Sequence, residues 1–353
     1  MDTDSAQDLL LEVKKLEEKL AGASTPPDLR EEISASIERL KVSFKFGNYS
    51  RDLEEVSRYL DWITSLPWVK RTEDILDLNF SRQVLDGNHF GLQTVKDRIL
   101  EYLAVLKLQK ERATESKLRA PILCFVGLVG TGKTTLAYSI AQSLGRKFAR
   151  IPFGGLGDPG FLRGRSRTLP EAEPGQVIKA LRLAGSKNPV ILLDEIDRVA
   201  EEARATIMGV LVELLDPEQN NRFTDHFLDY PFDLSEVLFI ATANNTTNIS
   251  TAVLDRLEPM AMPSYNDEEK TTIGQKYILP RTMKAMGLSA NDLEISPEVW
   301  PKIVRPLGFD AGVRTLERNI AGICRKVARL IVEGKQGKTI ISDANLKEFM
   351  QTW

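Results

Sequence analysis

Between residues 127 and 134 the chain reads GLVGTGKT, and few strings of this length restrict a fold so tightly. Gly127, Gly132, Lys133 and Thr134 occupy the fixed places of G-x-x-x-x-G-K-[ST], a loop that joins a strand to a helix and closes backbone N–H groups around phosphate oxygens. The flanks agree with that reading. PILCFVG (121–127) is apolar and suits a buried strand, and a helical pattern follows Lys133. Further along, VILLDEID (190–197) ends an apolar run in Asp194 and Glu195, as a buried parallel strand delivering acids to its carboxyl end would. Together the two strings specify a nucleoside triphosphate site with its Mg2+ and its attacking water.

The rest of the chain arranges itself around this pair. Stripes at Leu9, Val13, Leu16 and Leu20, at Leu29, Ile33, Ile37 and Leu40, and at Leu53, Val56, Leu60 and Ile63 each follow the helical period. AGASTPPD (21–28) breaks the first from the second, because two prolines cannot continue a helix. A fourth amphipathic helix is expected from about Leu92 to Leu106. Strands at 121–127, 147–153, 190–196 and 237–244 then alternate with helices at 176–185 and 207–215. That alternation indicates a parallel sheet covered on both faces. After MPSYNDEEK (262–270) strand signals stop and helical stripes dominate, including Val313, Leu316, Ile320 and Ile323. The expected division is a helical segment at 1–75, an α/β unit at 76–262 and a small α-helical lid at 263–353.

The residue types assign roles. Leu128, Val129, Gly130, Thr131 and Thr135 complete the phosphate loop; Lys133 suits the β- and γ-phosphates, and the Thr134 hydroxyl suits Mg2+. Asp194 is the second expected Mg2+ ligand, and Glu195 would orient and deprotonate the water. Asp197 could cap the helix that follows. VLFIATAN (237–244) delivers Asn244 to a strand end, either to position the same water or as a buried structural amide. Arg256, just before the proposed boundary, could meet a neighbouring subunit's γ-phosphate, and Arg314 in the lid could reach phosphate within its own chain. Taken singly, such arginines are more often surface ion-pair residues.

Composition removes other classes. A net charge of −3 on 353 residues argues against a nucleic-acid-coating protein. No apolar stretch approaches the length of a membrane span, and the acidic MDTDSAQDLL start lacks the layout of a secretory signal. Cys124 and Cys324 read as reduced core thiols in a cytoplasmic protein, and His89 and His226 are too few for a metal cluster.

Longer strings carry a family resemblance. KNPVILLDEID, LLDPEQNNRFTDHFLDYPFDLSEVLFIATANN, VLDRLE and GFDAGVRTLERNIAGICRKVA closely resemble the AAA+ ATPase module of the Lon protease (endopeptidase La) family, and YLDWITSLPW and NHFGLQTVKDRILEYLAV resemble the segments preceding it. The resemblance spans roughly residues 45–335. It implies a P-loop NTPase fold and a homo-oligomeric ring, a hexamer, acting on protein substrates with ATP and Mg2+. By position it makes 127–134 the Walker A loop, Asp194 and Glu195 the Walker B acids, Asn244 sensor 1, Arg256 the trans-acting arginine finger and Arg314 sensor 2. Gly91 and Leu92 match the stretch beside the adenine, and Tyr277 is a further candidate there. The family's Ser–Lys peptidase domain would follow the lid, so peptidase activity is not expected from this chain alone. Where the family's first pore loop carries an aromatic–aliphatic pair, SRTLPEAEPG (166–175) has Leu169, Pro170 and Glu171. A weaker apolar grip and the acids Glu171 and Glu173 would then change how polypeptide is held. Three readings follow: an ATPase that remodels proteins, alone or for a separate peptidase; a nucleotide-switched scaffold without threading; and the ATPase fragment of a full protease.

Overall fold

The computed structural model describes residues 3–44, 50–112, 122–169, 171–305 and 312–350. The side chain of Leu9, together with Pro121, Pro170 and residues 308–311 of the GFDAG string, lies outside the described residues. Helices α1 (Thr3–Gly22), α2 (Pro27–Phe44) and α3 (Ser50–Ser65) form the expected N-terminal bundle. Pro27 opens α2, where its missing N–H costs no hydrogen bond. Val13, Leu16, Leu20, Leu29, Ile33, Ile37, Leu60 and Ile63 are all buried between the three helices. This bundle has no separate core: its apolar residues join the cluster beneath one face of the central sheet.

That sheet is parallel and five-stranded. In chain order its strands are β1 (Ile122–Val126), β2 (Phe148–Pro152) and β3 (Val190–Asp194); β4 (Phe223–Asp225) and β5 (Tyr230–Phe232) form a separate antiparallel hairpin, and β6 (Leu238–Ala243) and β7 (Leu257–Ala261) return to the sheet. Its spatial order is β2-β3-β6-β1-β7. All of β3 and all of β6 are buried, as strands covered on both faces must be. On one face α4 (Leu78–Asn88), α5 (Gln93–Glu111) and α6 (Lys133–Leu144) pack Leu85, Ile99, Leu136 and Ile140 against Phe125 and Ile240. On the other, Leu181 and Leu211 meet Ile191 and Leu193.

One strand of the sheet, the separate hairpin and one helix escape the sequence patterns. β7, LEPMA, carries Pro259, which reads against a strand; it is tolerated because, among the described residues, β7 is an edge strand paired with β1 alone. The β4–β5 hairpin is built from three-residue strands too short to show a period. α4 is capped by Asp77, whose carboxylate accepts from Asn79 N–H (2.8 Å) and Phe80 N–H (3.3 Å).

The C-terminal unit has its own core around Trp300, Ile303, Leu316, Ile320 and Ile323. It is not wholly helical. β8 (Leu293–Ile295) and β9 (Thr339–Ile341) pair in parallel, and neither three-residue strand leaves a readable signal. Asn266 and Glu269 form a reciprocal capping box at the start of Asp267–Ile273. No helix among the described residues is long and apolar enough to cross a membrane.

Candidate functional site

The carboxyl ends of β1, β3 and β6 converge, and the chemistry-bearing residues leave the sheet there. After β1 the chain turns through Gly127–Gly132 into α6. Gly130 (φ 84°) and Gly132 (φ 94°) hold left-handed conformations that L side chains rarely adopt. Gly127 is required for another reason: a Cβ there would sit 2.6 Å from the Met262 carbonyl oxygen at the end of β7. The loop thus forms a backbone cradle against the N-terminus of a helix, a donor arrangement suited to phosphate. Thr131 is buried with its hydroxyl on the Leu128 carbonyl (2.9 Å), and Thr135 donates to the Gly132 carbonyl (2.9 Å).

Lys133 points back along the loop. Its Nζ donates to the Gly127 carbonyl, to the Leu128 carbonyl (3.0 Å) and to Asn244 Oδ1 (3.2 Å). Burial lowers its pKa, while Asp197, Asp194 and Glu195 oppose that shift and Arg314 adds to it. Asn244 follows directly on β6 and so shares this ammonium with the phosphate loop.

Asp194 ends β3 and is 4% exposed. Its Oδ1 accepts from the Thr242 hydroxyl, and its Oδ2 accepts from Arg150 Nε (2.7 Å). Arg150 Nη2 also lies 2.6 Å from Oδ2, so a positive partner holds this carboxylate. Glu195 departs from the strand in a left-handed conformation (φ 59°, ψ 48°), which costs a non-glycine residue about 1–2 kcal/mol. Its N–H donates to Thr242 Oγ1 (2.9 Å), and its carboxylate lies 3.2 Å from Arg198 Nη1. Such a conformation at a candidate catalytic acid is where strain is tolerated for geometry. Asp197 does not cap a helix with its side chain. Its carboxylate instead accepts from Asn245 N–H (3.4 Å), tying the β3 turn to the end of β6.

The C-terminal unit closes over this cradle. Val313 N–H donates to the Gly130 carbonyl (3.0 Å), and Arg314 opens the Arg314–Val332 helix directly beside the loop. A cavity of about 120 Å³ is lined by Lys133, Thr134, Asp194, Glu195 and Arg314, with Gly130 and Gly132 among its walls. It shares Gly132, Thr135, Val313 and Glu317 with a second cavity of about 270 Å³. The second is bounded by His89, Phe90, Tyr138, Tyr265 and Tyr277, an aromatic enclosure of the kind a base needs. Tyr277 donates to the Asp86 carbonyl (3.1 Å) at this wall. Burial lowers the His89 pKa to about 4, with Lys96 adding to the shift, so the cavity meets a neutral ring.

Most of the sequence candidates therefore meet. Gly91 and Leu92 do not line the larger cavity; the residues before them, Asn88, His89 and Phe90, do. Leu92 (φ 54°) instead packs between the sheet core and the C-terminal core. Arg256 is also apart. It precedes β7, six residues and about 20 Å from Met262, and its Nη2 lies 2.8 Å from Asp216. Leu169 is 52% exposed, Glu171 is left-handed (φ 56°), and Arg167 stacks on Tyr59 of α3 at 3.8 Å. Two site residues carried too little signal: Arg150, one charge in a short strand, and Thr242, a hydroxyl inside an apolar run.

Comparison with known proteins gives consistent matches. The model of the ATPase family associated with various cellular activities (AAA) matches residues 123–263, and that of the Lon protease AAA+ ATPase lid domain matches residues 284–340. A Lon protease of Heliobacterium modesticaldum is 44% identical over 98% of this chain and 41% of its own length. One from Lawsonia intracellularis is 44% identical over 96% of this chain and 40% of its own, and Lon protease 2 of Thermus thermophilus is 42% identical over 96% and 42%. The chain thus spans about 40% of the length of the curated relatives it matches.

Proposed function

We propose that this chain, which carries the AAA+ ATPase module of the Lon family, hydrolyses ATP with Mg2+ and uses the energy to remodel other proteins. The observation that carries the reading is the single cavity wall on which Lys133, Thr134, Asp194, Glu195 and Arg314 converge. In this reading the Gly127–Gly132 backbone and Lys133 bind the phosphates, with Leu128, Val129 and Thr131 shaping the loop and Thr135 flanking it. Thr134 and Asp194 hold Mg2+, which neutralises phosphate charge when bound. Glu195 takes the proton of the attacking water, Asn244 orients that water beside Lys133, and Arg314 steadies the terminal phosphate within the chain. The base would enter the aromatic cavity at Tyr277, with Gly91 and Leu92 setting the turn behind it.

The remaining assignments belong to the same proposal. Arg256 serves a neighbouring subunit, because its own site is a strand's length away. That requires a ring of copies, for which we propose a hexamer. The working division is at residues 75 and 262. The free, buried thiols Cys124 and Cys324 support a cytoplasmic setting, and neither membrane nor nucleic acid is assigned as a partner. Proteolysis is named for the relatives; here we propose that unfolding serves a peptidase, whether in a longer protein or as a separate partner, and assign no peptidase chemistry to these residues.

A scaffold reading has one observation in its favour. The 166–175 loop offers Leu169 and two acids where a polypeptide-gripping surface would be apolar, and Arg167 fastens it to Tyr59. Steady-state phosphate release with and without unfolded casein separates the two. Remodelling predicts that casein raises turnover by about twofold or more and that it binds the ATP-loaded chain. Unchanged turnover with no casein binding would give the function to the scaffold.

A further inference from the structure

We infer that Thr242 is a positioning residue that sets the two Walker B acids relative to one another. It sits on β6, beside β3, in a parallel register that pairs Leu193 with Ala241. Asp194 and Thr242 are the next residues along each strand. The Thr242 side chain is wholly buried in a strand whose other residues are apolar, so its hydroxyl is expected to be fully used. It is used twice. The proton goes to Asp194 Oδ1, and a lone pair accepts the Glu195 N–H at 2.9 Å.

One oxygen therefore fixes both the carboxylate that ends the strand and the peptide that turns Glu195 into its left-handed conformation. The other side-chain partners of these acids are more exposed. Arg150, on Asp194 Oδ2, is itself half exposed, and Arg198 reaches Glu195 only from the rim. Without the hydroxyl, Asp194 Oδ1 loses its donor while Oδ2 keeps Arg150, and the Glu195 N–H loses its acceptor. Thr242 touches neither nucleotide nor water in this account; it acts through the acids. The inference rests on the proposed ATPase reading.

Thr242→Val keeps the side-chain shape and removes the hydroxyl, and Thr242→Ser restores the hydroxyl without the methyl. Thr242→Val is expected to lower kcat for ATP about 10–100-fold while ATP binding, followed with a fluorescent analogue, changes only a few-fold. Hydrogen–deuterium exchange without nucleotide should be slow at the Glu195 amide in the unmodified chain and in Thr242→Ser, and faster in Thr242→Val. Thr242→Ser should keep most of the turnover. Unchanged kcat in Thr242→Val, equal impairment in both variants, or a Glu195 amide exchanging as fast as exposed amides in the unmodified chain would each overturn the inference. If Thr242→Val does not fold, the exchange measurement and Thr242→Ser still decide. An unmodified chain without Mg2+-dependent hydrolysis would sink the ATPase reading instead, and the exchange result would stand apart from it.

Discussion

Glu195→Gln is expected to lower steady-state ATP turnover by about 100-fold or more while ATP remains bound, since a positioned general base contributes about 10²–10⁴-fold. Gln keeps the size of the side chain and the backbone that turns at φ 59°, so the Thr242 hydroxyl still receives the residue-195 N–H. What disappears is the proton acceptor. The carboxylate lines the cavity beside Lys133 and Thr134, close to Gly154, where a Cβ would come within 3.1 Å of Glu195 Oε2. Lys133, Thr134 and Asp194 are untouched by the change, so binding should survive. The variant should hold ATP long enough for the bound nucleotide to be extracted and identified as triphosphate. Full turnover in Glu195→Gln would remove Glu195 from the role of base. Loss of ATP binding would make its part structural.

Arg256→Ala is expected to abolish hydrolysis to a comparable or greater degree, since an arginine finger is worth about 10³–10⁵ in turnover. The geometry carries the expectation. Arg256 precedes β7 and lies a strand's length from the loop of its own chain, where it pairs with Asp216 and donates to the Ala252 carbonyl (2.8 Å). Asp216 is held below the usual carboxylate range chiefly by this guanidinium. A purely structural pair would predict a chain weakened in stability and inactive in any mixture. An arginine acting across subunits predicts something different. When Arg256→Ala and Glu195→Gln subunits are mixed, some sites combine an intact Glu195 with a neighbour's intact Arg256. Turnover above that of either variant alone is the expected result. No recovery at any mixing ratio would remove Arg256 from the trans position.

The phosphate loop and the two acids were legible because their chemistry demands particular residues at fixed spacing. The positions of Gly130 and Gly132 need left-handed backbone, and Asp194 needs a strand buried on both sides to carry it to the carboxyl end of the sheet. β3 and β6 were equally plain, since strands buried on both faces become unbroken apolar runs. β7 was hidden by Pro259, whose cost depends on lying at an edge, a fact of the tertiary arrangement. β8, β9 and the hairpin were too short to show a period of two. The lining of the aromatic cavity was not legible at Gly91 and Leu92: Asn88, His89 and Phe90, just before them, are the residues that face it. Thr242 was the least readable: its two partners lie more than forty residues away in sequence, and only the register of β6 on β3 brings them to it.

The central claim is that these residues make an Mg2+-dependent ATP hydrolase. Phosphate release from ATP by the unmodified chain, measured first with Mg2+ and then with excess chelator, tests it most directly. Steady release in Mg2+ that stops when the metal is removed and resumes when it is restored is the expected result. No release in Mg2+, or release indifferent to the chelator, would contradict it.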